Sequence, residues 1–330
     1  MKTLWISFMM LFTLYGCQNL RQAEVSNPSE GNLLKEIQRV KSSTYRVYAS
    51  ASYDTYTFEP SENIRNHDLS KELLKNKTSV FNRTSSLGTA TLILKSSKQQ
   101  VLLTCFHIFN YPDTIRQYYY REDGSKTPYI SSVSIKKKQE NFTKMEGVNK
   151  ALEFIAADTI KDLAFMKTIS QPKNPLPHIL EFLPLKKIKD GSQTIICGYP
   201  SGYDMVTRAT ISKQNQTGRI ILDASFNQGF SGAPYFVSDE SGKLVLAGIV
   251  TAAASTAKNI IVPELPSHKK QYNPSDPYQG NFFAEADERI RYGITFTLNS
   301  EEIKDFYIEN IHQFNNKNIS LHRVFNLENL

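Results

Sequence analysis

Cysteine is scarce in this chain: three residues among 330, at Cys17, Cys105 and Cys197. So few cannot make a disulfide framework, and the fold must be held by an apolar core. Cys105 and Cys197 lie in strand-like apolar runs and read as buried thiols; pairing is open to them but not needed. Long hydrophobic runs are also missing. The run from Leu4 to Leu14 is too short to span a bilayer as a helix, and no second one follows. Nowhere do His, Cys and carboxylates recur at metal-ligand spacing, so neither a metal nor a cofactor is expected. Concentrated charge is absent too. The formal charge of +7 is spread along the chain, and Lys136-Lys137-Lys138 and Lys186-Lys187 read as solvated turns, which argues against nucleic acid as a partner. No internal repeat is visible.

What is present begins with a leader. Lys2, the Leu4 to Leu14 run and Leu14-Tyr15-Gly16-Cys17 have the layout of an export signal, and the last four residues resemble the bacterial lipobox, with Cys17 as the lipidated residue. That resemblance implies a protein of the bacterial cell envelope, held to a membrane surface by a lipid anchor rather than spanning the membrane. Gln18 after the cysteine favours the outer membrane over the inner. The chain then divides into a signal over 1–17, a tether and lead-in over 18–60, a main domain over 61–298 with an insertion at 255–289, and a helix with tail over 299–330.

Within the lead-in, Leu33, Leu34, Ile37 and Val40 have helical spacing, and alternation from Tyr45 to Phe58 suggests an extended segment joining a sheet. Between Glu59 and Ser86 only charges, Asn and Ser stand out. From Gly88 to Thr297 short apolar segments recur between polar turns, among them Thr89 to Leu94, Val101 to Thr104, Leu163 to Lys167, Thr194 to Cys197, Ala233 to Val237 and Leu244 to Val250. Strands at such intervals predict an all-β barrel or sandwich. Ser255 to Arg289, rich in Pro, Asn, Asp and Lys, reads as a long loop between two strands. A helix follows, capped by Asn299 or Ser300, with Ile303, Phe306, Tyr307, Ile311 and Phe314 on one face.

Four segments carry chemistry. They are Gly88 to Leu94 with Val101-Leu102-Leu103-Thr104-Cys105-Phe106-His107; Lys161-Asp162-Leu163-Ala164-Phe165; Asn227-Gln228-Gly229-Phe230-Ser231-Gly232-Ala233-Pro234; and Leu246-Ala247-Gly248-Ile249-Val250-Thr251. In content and order they resemble the trypsin-like serine proteases, a superfamily with bacterial periplasmic members. The resemblance covers roughly residues 86 to 298. It implies two six-stranded antiparallel β-barrels and a serine endopeptidase acting on protein or peptide substrates, with His107 as general base, Asp162 as orienting acid and Ser231 as nucleophile.

Elementary chemistry assigns the same roles. A serine hydroxyl needs a base near neutral pH, an imidazole needs a carboxylate to fix its tautomer, and the developing oxyanion needs donors, here the N–H groups of Gly229 and Ser231. Of six histidines, only His107 ends an apolar strand, while Asp158 competes with Asp162 for the acid role. By the same resemblance Ser225, Thr251, Ala252, Ala253 and Gly293 form the substrate pocket. None is charged, so a small or medium neutral side chain is expected there. Phe230 stands where digestive relatives have an acid that pairs with a freed N-terminus, which argues against that mode of activation.

Two other readings compete. An α/β-hydrolase would need a glycine where Ala233 stands and a histidine downstream of the serine. An inert, lipid-anchored binding module on the same scaffold would keep the fold and lose the chemistry. Oligomeric state is not legible.

Overall fold

In the computed structural model, residues 28–121, 124–172, 178–214, 220–263, 275, 280 and 282–327 are described. The signal segment 1–17, Cys17, the first part of the tether and the middle of the 255–289 segment lie outside them.

The chain opens with helix α1 (Pro28–Lys41). Ile37 and Leu33 pack on the core and Val40 is buried, whereas Leu34, predicted on the same face, stays exposed. Strands β1 (Thr44–Thr57), β2 (Val80–Lys95), β3 (Gln100–Thr104), β4 (Thr114–Tyr120), β5 (Lys126–Met145), β6 (Val148–Asp158) and β7 (Leu163–Thr168) follow, and a short β8 (His178–Ile179) pairs with β2. Antiparallel pairing runs β1-β2-β3-β7-β6-β5 and closes from β5 back to β1, making the first barrel, with β4 added outside β5. β9 (Gln193–Gly198), β10 (Met205–Gln214), β11 (Ile220–Asp223), β12 (Pro234–Ser238), β13 (Leu244–Pro263) and β14 (Phe282–Asn299) close the second barrel in the order β10-β11-β14-β13-β12-β9. The predicted all-β fold of two six-stranded barrels is therefore the observed one.

Closure pairs the barrel strands on both sides over most of their length and directs alternate side chains inward. On β1, Val47, Ala49 and Ala51 are fully buried in the first barrel. The second barrel has its own core around Ile196, Leu222, Tyr235 and Val250. The C-terminal helix α2 (Ser300–Glu309) starts at Asn299, whose side chain accepts from the Glu301 and Glu302 N–H groups. Phe306 and Tyr307 of α2, with Phe314 beyond it, join Phe165 of the first barrel and Phe236 and Leu246 of the second in one continuous core.

Four local expectations change. The segment 44–57, placed in the lead-in, is the first strand of a barrel. The stretch between Glu59 and Ser86 holds a short helix at 71–75 and the start of β2; Ile64, Leu69 and Leu73 pack there on a satellite core of Phe58, Ile130 and Val133. Lys136 to Lys138 lie on β5, not in a turn, each facing a carboxylate at 2.7–3.1 Å. The arms of the 255–289 segment form a two-stranded ribbon in which Ser255 to Pro263 pair with Ile290 to Phe282. Such a ribbon satisfies its backbone hydrogen bonds with no core to cover, so it needs no hydrophobic alternation for a sequence reading to find.

Candidate active site

His107 follows β3 at the start of a 3-10 turn, His107–Phe109, anchored by the buried Ile108 and Phe109. Asp162 ends the turn between β6 and β7 with φ of +54°, a left-handed conformation that a short polar side chain tolerates. Its carboxylate holds His107 twice: Oδ1 accepts the His107 backbone N–H at 2.8 Å, and Oδ2 meets Nδ1 at 2.7 Å. A carboxylate only accepts, so Nδ1 carries the proton and the Nε2 lone pair is left for another partner. The competing Asp158 is engaged elsewhere, accepting from the Ile160 and Lys161 N–H groups. The imidazole is half exposed and the carboxylate 28% exposed.

Ser231 sits on the turn leading into β12, almost buried. The first barrel holds this turn from outside. Thr89 donates its N–H to the Ser231 carbonyl at 2.9 Å and its hydroxyl to the Gly229 carbonyl at 2.7 Å, while accepting from the Tyr199 N–H at 3.0 Å. Thr104 in turn donates to the Thr89 carbonyl at 2.7 Å. Gly232 has φ of +81°, and a Cβ there would meet the Cys105 nitrogen at 3.1 Å, so the turn lies directly against the strand end that carries His107. Gly229 has φ of +104°. Among the described residues its N–H and that of Ser231 donate to no protein acceptor, whereas those of Phe230, Gly232 and Ala233 are all bonded. No hydrogen bond joins Ser231 to His107 among the described residues. Phe230 is buried beside Phe226, an apolar anchor where an acid would need a charged partner.

The pocket candidates converge from three pieces of the second barrel. Ala252 and Ala253 on β13 pair with Phe296 and Thr295 on β14, Thr251 donates its hydroxyl to the Phe296 carbonyl, and Gly293 donates its N–H to the Ala224 carbonyl next to exposed Ser225. The sequence reading missed one charge here. Asp223 Oδ1 lies 3.2 Å from where a Cβ on Gly293 would stand. It also missed Thr89 and Thr104, read only as strand residues; a buried threonine in a strand must find an acceptor, and that requirement was the available signal.

One grouping of metal-ligating atoms occurs among the described residues: Cys105, His107 and Asp162, within 4.8 Å of one another. It suits a metal poorly. Nδ1 and the carboxylate are spent on each other, and burial, reinforced by the Asp162 charge, pushes the Cys105 thiol up and away from the thiolate a metal binds. Burial likewise pushes Cys197 up to about 12, and both cysteines are free. Iodoacetamide at pH 8 should therefore leave Cys105 and Cys197 of the native protein unmodified and alkylate both once guanidinium is added; rapid native labelling of either would contradict this burial.

No curated protein sequence matches the chain. Among solved structures, it is similar to a serine endoprotease from Yersinia pestis, with 16% identity and a TM-score of 0.47 over 85% of this chain and 66% of that one. A variant of the HtrA-type protease AlgW with a decapeptide gives 18% identity and 0.47 over 84% and 67%. The chain thus spans about two thirds of the length of these structures. Residues 88–245 match the family model described as the trypsin-like peptidase domain. With two closed six-stranded barrels around the matched segment, the chain has the trypsin-like fold.

Proposed function

We propose that the chain is a serine endopeptidase that cleaves peptide bonds through an acyl-enzyme, with His107, Asp162 and Ser231 as its triad. The observation that carries this reading is the double hold of Asp162 on His107, which presents Nε2 with a free lone pair beside the turn bearing Ser231. As Ser231 Oγ attacks the carbonyl carbon, His107 Nε2 takes its proton. The oxyanion is met by the unengaged N–H groups of Gly229 and Ser231. Collapse breaks the C–N bond, the amine leaves with the proton from His107, and a water deprotonated by the same imidazole hydrolyses the ester. The residue on the acyl side enters the pocket of Ser225, Thr251 to Ala253 and Gly293, with Asp223 beside it.

The leader supports an exported lipoprotein anchored through Cys17 at the bacterial envelope. No helix among the described residues is long and apolar enough to cross a membrane. One observation favours the second reading, an inert binding module: the missing hydrogen bond between Ser231 and His107. Triad contacts are often loose without substrate and tighten in the complex.

A fluorophosphonate probe separates the two. Protein spanning residues 18–330 is expected to label at Ser231, with labelling abolished by Ser231→Ala and by His107→Ala. A folded wild type that resists the probe would leave the binding module as the better reading.

A further inference from the structure

A groove of about 550 Å³ opens from the turn that carries Ser231 and runs along the outside of the first barrel. Gln228, next to Gly229, and Ser201 form its inner end; β1, β2 and β5 form its floor. Strand register arranges the floor in rows. Nearest the turn stand Leu87, Tyr48 and Phe142, with the two rings stacked at 5.0 Å and Arg46 over the Tyr48 ring at 4.8 Å. Two residues further along each strand the row is Ser85, Ser50 and Glu140, and two further still it ends in Arg83 and Lys138.

Charge is uneven along this floor. Arg83 and Lys138 share a single carboxylate, Glu140, which Lys138 engages at 2.7 Å, while Arg46 donates to the Gly202 carbonyl at 3.0 Å. Arg83 reaches Glu140 only at 3.5 Å; it is held by the Ser50 hydroxyl at 2.7 Å and remains 60% exposed. Asp54 on the next row is paired with Lys137 at 3.1 Å. The wall of the groove is a strand edge. Among the described residues, β2 from Val80 to Ser85 pairs with β1 on one side and with no strand on the other, whereas from Ser86 to Gly88 it lies against Ile108 and β3 joins at Ala90.

We infer that this groove receives the part of the substrate that follows the scissile bond, and that Arg83 selects an acidic side chain there. The inference rests on the proposed peptidase activity. The pocket on the second barrel takes the acyl side, so the leaving peptide departs across Gln228 onto the first barrel. An extended chain laid along the groove finds an apolar ledge, then the unpaired backbone groups of the free β2 edge, and with them a guanidinium whose remaining N–H groups can grip a carboxylate. Strand rise of about 3.3 Å per residue puts Arg83 roughly 13 Å from Leu87. Allowing for the reach of the side chain, the selected residue is the second to fourth after the cleaved bond.

The test uses internally quenched peptides cleaved by protein of residues 18–330, with Asp, Asn or Lys placed at each of those three positions. At one of them the kcat/KM ratio of Asp over Lys is expected to be roughly fivefold or more, falling with added salt. Arg83→Gln should bring that ratio near one and Arg83→Glu should invert it. Lys187→Gln, outside the groove, should leave it intact. Thermal unfolding confirms that each variant is folded. A flat ratio in wild type that still labels with the fluorophosphonate overturns the inference alone; a protein that neither labels nor cleaves overturns the peptidase reading and this inference with it.

Discussion

Replacing Asp162 by Asn is expected to lower kcat/KM for peptide hydrolysis by about ten-thousandfold while leaving the fold intact. The amide oxygen can still accept the His107 backbone N–H, now held at 2.8 Å. Its NH2 group, however, would face Nδ1 in place of the oxygen that now sits at 2.7 Å, and it can only donate. The proton then moves to Nε2, and the atom that should take the Ser231 proton has none of its basicity left. The backbone gives no separate reason for loss, because Asn adopts φ near +54° as readily as Asp. Steady-state kinetics with a fluorogenic peptide, paired with a urea unfolding curve, measures both halves. A loss under tenfold, with stability unchanged, would remove Asp162 from the mechanism.

Gly232→Ala should cost both stability and reactivity through a single methyl group. At φ of +81° an alanine is strained, and its Cβ would collide with the Thr89 carbonyl and lie 3.1 Å from the Cys105 nitrogen. Both obstacles are backbone, so neither can swing aside. The turn must lift off the first barrel, losing the bond from the Thr89 N–H to the Ser231 carbonyl and that from the Gly232 N–H to the Val250 carbonyl. Strain and overpacking together are worth about 3 kcal/mol of stability. The expected outcome is a lower urea midpoint together with loss of fluorophosphonate labelling. A variant as stable and as reactive as wild type would show that the turn does not bear on the strand as described.

These two sites also show what a sequence can and cannot disclose. His107 and Ser231 stood out because their surroundings are restrictive: one follows the Val101-Leu102-Leu103 run of β3, the other lies in a turn with Gly229 and Gly232. Asp162 was separable from Asp158 by its context, and the geometry explains the difference, since Asp158 closes its own turn. Thr89 escaped notice because its role lies in partners 110 and 140 residues away, which no local pattern encodes. The 255–289 ribbon and the free edge of β2 were missed for a related reason. Both are strands with little to bury, and hydrophobic alternation records burial rather than pairing. Asp223 was overlooked because its closeness to Gly293 arises from the pairing of β11 with β14.

The bonds made by Thr89 have a meaning at the scale of the whole molecule. His107 and Asp162 belong to one barrel and Ser231 to the other, so the proposed triad is divided between the two halves. The two meet at a seam where Thr89 reaches Ser231, Gly229 and Tyr199, and where Arg46 donates to the Gly202 carbonyl and Tyr199 to the Thr44 carbonyl. Both ends of the described chain bind the same two halves together. Near its start, Glu36 and Arg39 of α1 grip the backbone of Leu244, and near its end Phe325 stacks on Phe182 at 4.8 Å. In the proposed mechanism, bringing His107 and Ser231 together is thus a property of assembly, dependent on parts of the chain that contribute no atom to the chemistry.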